Sequence, residues 1–153
     1  CLMGLYLNFL RSKEKEELLK LLNEQFGIKK LDYTLVMSGK EKIRGFSGDL
    51  NKEAILRINE LANIEVIGLY LLKEEHGYRL SFDATILLSN QINKNLLDIT
   101  EEQYKLWMTG QDLDIKSPAG TKVISFKGNF LGCGKSNGEK LFNYVPKDRR
   151  LRK

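Results

Sequence analysis

Leu18, Leu19, Leu21, Leu22 and Phe26 recur at the three- and four-residue spacing that lines one side of a helix. Ser12 is a capping residue before them and Gly27 a left-handed stop after them. Residues 13–26 therefore read as an amphipathic helix, with the charged run Arg11–Glu17 facing solvent. Leu31–Met37 reads as a strand, and Ser38–Gly48 as a polar turn with a short strand at Ile43–Phe46. A second helix is expected where Ile55, Ile58, Leu61 and Ala62 share a face, capped by Asp49 or Asn51 and ending near Asn63. The period then changes. Glu65–Leu72 is a continuous apolar run, and Tyr78–Thr85 alternates, with Leu80, Phe82 and Ala84 opposite Arg79, Ser81 and Asp83. With Glu74–Gly77 as the turn, this predicts a hairpin. A helical turn through Ile86–Ile92 closes a small α/β unit, and the polar, Asn-rich stretch Ser89–Asn95 marks a boundary, giving domains 1–93 and 94–153.

Beyond the boundary the pattern is mostly that of strands. Asn95–Ile99 leads into Thr100-Glu101-Glu102-Gln103, in which Thr100 caps a short helix, Gln103 reaches back, and two acids sit on the helix's positive end. Gly110 is placed to stop that helix, Asp112–Ile115 reads as a brief strand, and Lys116–Gly120 as a break. Thr121–Phe126, Phe130–Lys135 and Lys140–Val145 follow as strands, joined by Lys127–Asn129 and Ser136–Glu139, with Asn137-Gly138 the strongest short hairpin signal. Five short strands and one helix predict a small, strongly curved barrel, because an open sheet of that size would expose edges and one bare face.

The 153 residues are 42% apolar and 29% charged with two Pro, which excludes disordered and fibrous classes. Cys1 and Cys133, without CxxC spacing, and the one histidine, His76, cannot supply the roughly four ligands of a thiolate or imidazole zinc site. The apolar run Cys1–Leu10 is short of the roughly 20 residues that span a bilayer and follows no basic segment, so a soluble, cytoplasmic protein with no membrane association is expected. Charge changes the picture most. Residues 121–153 hold nine bases (Lys122, Lys127, Lys135, Lys140, Lys147, Arg149, Arg150, Arg152, Lys153) against Glu139 and Asp148, a net +7 that leaves −2 for residues 1–120 of a chain at +5. Such an excess is the footprint of a polyanion site.

Motifs for other chemistry fail on spacing. Gly134-Lys135-Ser136 would be a P-loop only with glycine where Asn129 stands and a helix where the hairpin turn falls, and a dinucleotide fingerprint would need glycine at Asn137. Gly132 and Gly134 are expected to permit a sharp bend or close backbone approach, and, functionally, to let RNA lie on the strand with Lys135 reaching a phosphate. His76 reads as a turn residue, Cys133 as a small core residue, and Tyr104 and Trp107 as packing more than base stacking. Asp112 and Asp114 lack a third metal ligand. Lys147, Arg149, Arg150, Arg152 and Lys153 follow Asn143-Tyr144-Val145-Pro146, so cations are expected beside a ring, Tyr144 or Phe142, that offers a stacking face.

A capped helix, Gly110-Gln111-Asp112-Leu113, a strand, Leu131-Gly132-Cys133-Gly134-Lys135, a short turn, Lys140-Leu141-Phe142-Asn143 and Pro146-Lys147-Asp148-Arg149 follow in that order. In this combination Asp98–Arg150 resembles the PUA-like RNA-binding domain at the end of ribosomal RNA cytosine-5 methyltransferases. Ile64–Asp98 with its preceding helices is similar to the pre-PUA domain of a ribosome-biogenesis factor of archaea and eukaryotes. The resemblance implies an α+β protein, a pre-PUA-like α/β unit followed by a PUA-type pseudo-β-barrel that grips structured RNA through Gly132, Gly134, Lys135, Asn143, Lys147 and Arg149. The basic chain end adds Tyr144, Arg150 and Arg152. The methyltransferases also carry a large cofactor-binding domain with catalytic cysteines, to which nothing here corresponds, and the loop Lys116–Gly120 is shorter than in longer members.

The expectation is therefore a binding module for ribosomal or transfer RNA in RNA modification or ribosome biogenesis, not an enzyme, with no cofactor or metal. Its N-terminal unit would meet a protein partner or a second RNA segment. The alternative is a protein–protein adaptor or targeting subunit of a separately encoded RNA-modification enzyme. A hydrolase or methyltransferase using Asp112, Asp114 or Cys133 ranks behind both.

Overall fold

The helical period at Leu18, Leu22 and Phe26 buries those three side chains along α1 (Ser12–Phe26) in the computed structural model, which describes residues 7–39, 41–61 and 68–151. Gly27 ends α1 at φ 88° and donates its N–H to the Leu22 and Asn23 carbonyls. At the other end Arg11, not Ser12, is the cap residue, and its backbone N–H donates to Glu14 Oε1 at 3.2 Å.

The chain divides into two units, residues 1–78 and 79–153. In the first, β1 (Leu7–Phe9), β2 (Tyr33–Ser38), β3 (Lys42–Ser47) and β4 (Leu69–Glu74) pair in antiparallel succession, and β5, which begins at Tyr78, stands next to β4 in the sheet order. Asn51 Oδ1 accepts the Ala54 N–H at 2.8 Å to start α2 (Lys52–Leu61), whose Ile55 is buried with Val36 and Phe46. The expected end of this helix at Ala62–Asn63, and the start of the apolar run at Glu65, lie outside the described residues.

The alternation at Tyr78–Thr85 misleads. β5 (Tyr78–Leu80) stops where Ser81 Oγ accepts the Ala84 N–H at 3.0 Å, so the chain turns into α3 (Phe82–Leu87). A serine cap followed by Asp83 in the first helical turn outweighs a period-2 pattern in so short a segment. Helix α3 packs on β8 (Asn129–Ser136), which is why residues 79–93, expected with the N-terminal domain, fall in the second unit.

The capping box of Thr100 and Gln103 forms as written. Gln103 N–H donates to Thr100 Oγ1 at 3.2 Å, Thr100 N–H to Gln103 Oε1 at 2.9 Å, and α4 (Glu101–Met108) follows. It joins β6 (Leu96–Asp98) to β7 (Gly120–Phe126) with those strands parallel, while β8 and β9 (Leu141–Asn143) continue the sheet antiparallel. The strand expected at Asp112–Ile115 contracts to one bridge, Leu113 to Leu141, and the strand expected to reach Val145 ends at Asn143. Trp107, Met108, Leu113, Ile124, Leu131 and Leu141 form the core, and Trp107 Nε1–H donates to the Leu131 carbonyl at 2.9 Å.

Gly134 faces this core. A Cβ there would lie 2.7 Å from Trp107 Cη2 and 3.0 Å from Leu141. Gly134→Ala should therefore force the indole off its seat and cost about 1–3 kcal/mol, read as a lower urea midpoint at unchanged m-value; an unchanged midpoint would contradict this packing.

Candidate nucleic-acid interface

Side chains alternate across a strand, so the inward position of Gly134 decides what faces outward. Lys135 stands directly between Thr121 on β7 and Phe142 on β9, and residues opposite one another in antiparallel strands share a face. Lys140 and Tyr144 flank β9, two residues on either side of Phe142. Lys135, Thr121 and Tyr144 are half-buried, Lys140 is exposed, and Phe142 is 38% exposed. Among the described residues Phe142 is the one exposed aromatic side chain. The Arg79 guanidinium covers the Tyr144 ring at 4.1 Å from its centroid, a contact worth about 0.5–1 kcal/mol at such a site.

Other predicted contacts turn inward. Gly132 (φ 79°) and Gly134 are both buried, with Phe82 at 3.0 Å from the Cβ position of the first and Trp107 over the second. The room left by the missing side chains is taken by the protein's own rings, so these glycines serve the framework. Asn143 is equally committed. Its Nδ2 donates to the Trp107 and Gln111 carbonyls at 2.8 and 2.9 Å, its Oδ1 accepts the Val145 N–H at 2.7 Å, and its own N–H donates to Asp112 Oδ1 at 2.8 Å.

The basic chain end is also partly engaged. Arg149, in the 3-10 turn Lys147–Arg149, makes a bidentate pair with Asp83 at 3.1 and 3.0 Å. Donation to Asp83, with the charges of Asp83 and Asp148, holds its pKa above the ordinary arginine value. Arg150 lies half-buried against Gly110 (φ 92°), where a Cβ would come within 2.5 Å of the guanidinium carbon, and donates Nε–H to the Val145 carbonyl at 3.0 Å. Lys147 is exposed, while Arg152 and Lys153 lie outside the described residues. Among the described residues two other cations stand well apart. Lys127 and Lys140 occupy turns at opposite ends of the eight-residue β8, about 25 Å apart at strand rise. Among the described residues, the bases counted along the chain are thus spread over more than one place.

Phe142 is legible in the sequence as one of two candidate stacking rings, with Tyr144 the other. Arg79 and Thr121 carried no signal, since their place in the row depends on pairing between distant strands.

With this geometry in view, residues 94–151 match the family model described as the methyltransferase RsmF PUA domain. The chain carries a PUA-like domain resembling that of the ribosomal RNA cytosine-5 methyltransferases. Ribosomal RNA small subunit methyltransferase F of Shewanella halifaxensis is 26% identical over 142 residues, 90% of this chain and 28% of the relative. The protein of that name from Shewanella oneidensis is 36% identical over 77 residues, 48% of this chain and 16% of the relative. That of Aliivibrio fischeri strain MJ11 is 30% identical over 82 residues, 52% and 17% respectively. The chain therefore spans less than a third of the length of these methyltransferases. A match of 142 residues exceeds the PUA segment and reaches into the N-terminal unit.

Among the described residues no group of three or more His, Cys, Asp or Glu side chains is placed to hold a metal. No helix among them is long and apolar enough to cross a membrane. His76 is exposed in a turn at φ 48°. Burial pushes the Cys133 thiol up to about 12, against a smaller opposing pull from the Leu80 backbone N–H. The thiol therefore stays protonated at neutral pH and is a poor nucleophile. The unfolded chain releases this proton near pH 9 while the folded chain keeps it, so the group lowers stability as pH rises from about 9 to about 12. In a Cys1→Ser variant, iodoacetamide at pH 8 should leave Cys133 unmodified until denaturant is added. Rapid labelling of the native protein would contradict its burial.

Proposed function

We propose that this chain is an RNA-binding protein of the PUA type, acting on structured ribosomal or transfer RNA in RNA modification, with no catalytic activity of its own. The observation that carries the reading is the match of residues 94–151 to the RsmF PUA domain. In support, the exposed ring of Phe142 stands directly across from Lys135 on the sheet formed by those residues, with Lys140 two residues before it. Methyltransferase activity belongs to relatives more than three times the length this chain covers, and nothing in these 153 residues is proposed to supply it. The second unit is read as a pseudo-β-barrel in which the PUA segment starts near Lys94 and α3 serves as its packing support.

The N-terminal unit is read as the segment that precedes the PUA domain in the methyltransferases, a reading supported by the 142-residue match, in preference to the pre-PUA domain of the biogenesis factor. It would meet a protein partner or a second stretch of the same RNA. Cytoplasmic residence is part of this reading.

Of the cations first proposed as RNA contacts, Lys135 and Lys147 stay on the surface together with Lys140, while Arg149 would have to exchange Asp83 for a phosphate. Three phosphate contacts give a slope of log affinity on log salt of about −2 for single-stranded RNA. Replacing Lys135, Lys140 and Lys147 together with alanine should flatten that slope by about 2 in filter binding with the full chain, across 50 to 200 mM salt. Absence of RNA binding, or a slope unchanged in the triple variant, would remove the proposal or its site respectively.

A further inference from the structure

We propose that the outer row of the second sheet takes an unpaired nucleotide, its base stacked on Phe142 and its phosphates held by Lys135 and Lys140, so that the preferred ligand is single-stranded and not duplex RNA. This rests on the RNA-binding reading above and names what that surface recognises. Phe142 is 38% exposed on the short edge strand β9, where a large apolar side chain would normally be turned inward or covered. Its inward neighbours, Leu141 and Asn143, are held by the core and by four hydrogen bonds, so the register that puts Phe142 outside is set firmly.

The surroundings identify the occupant by charge. Lys135 stands directly across from the ring and Lys140 two residues before it. An exposed aromatic between two cations does not suit an apolar helix or an acidic peptide without rings as well as it suits a nucleotide, which carries a π-face and an anion a few ångströms apart. Tyr144, just past the strand, lies under the Arg79 guanidinium at 4.1 Å, so one face of that ring is already occupied by a cation while Phe142 has no such cover among the described residues. A base pair inside a helix cannot present its face to a ring. Only a loop, bulge or free end can.

The test uses the full chain with two probes, a short single-stranded RNA containing 2-aminopurine and the blunt duplex of the same sequence. Expected are tighter binding of the single strand and quenching of the 2-aminopurine on binding. Phe142→Leu should retain the apolar side chain but lose the quenching and bind about five- to hundredfold more weakly, with the salt slope unchanged. Phe142→Trp should restore both. If the native chain binds neither probe, the RNA-binding reading itself falls. If it binds the single strand and Phe142→Leu binds and quenches equally well, or if the duplex binds better, only the assignment of an unpaired base to Phe142 is overturned.

Discussion

The seating of Trp107 on Gly134 determines what the second unit can present to the outside. The indole lies where a Cβ on Gly134 would sit and donates its N–H to the Leu131 carbonyl at 2.9 Å, so helix α4 is pinned to β8 by packing and by one directional bond. Because strand side chains alternate, turning Gly134 inward turns Lys135 outward. The pairing of Gly134 with Asn143 does the same for β9 and leaves Phe142 outside. A register slip of one residue would bury a lysine and a phenylalanine in place of a glycine and an asparagine.

The chain end illustrates how net charge along a sequence differs from charge on a surface. Arg149 grips Asp83 and Arg150 packs on Gly110 while bonding the Val145 carbonyl, so both help to tie the terminal segment to its own unit. The Leu151 N–H, donated to the Met108 carbonyl at 2.7 Å, continues that tie. The proposed polyanion site is correspondingly smaller, a few lysines and the Phe142 ring in place of nine clustered bases.

Local signals were legible where chemistry acts over three or four residues. The Thr100–Gln103 box, the Gly27 stop and the Asn137-Gly138 turn between β8 and β9 all stand where the residues placed them. Ser81 was misread because three alternating apolar positions, Leu80, Phe82 and Ala84, satisfy a strand and a strand followed by a capped helix alike. The framework roles of Gly132, Gly134 and Asn143 were not legible for a different reason. Whether a small or polar residue serves a ligand or the chain's own framework depends on what packs against it, and Phe82, Trp107 and Gln111 are distant in sequence from those positions.

A PUA-like domain resembling that of RNA methyltransferases, together with an exposed aromatic ring paired across from a lysine, is the basis for proposing that β8 and β9 meet RNA. The most direct measurement is ultraviolet crosslinking of bound RNA to the full chain, followed by mass spectrometry of the attached peptides. The account predicts nucleotide adducts on the segment from Lys135 to Tyr144, with Phe142 the principal position. Adducts confined to residues 147–151, or to the N-terminal unit, would contradict it.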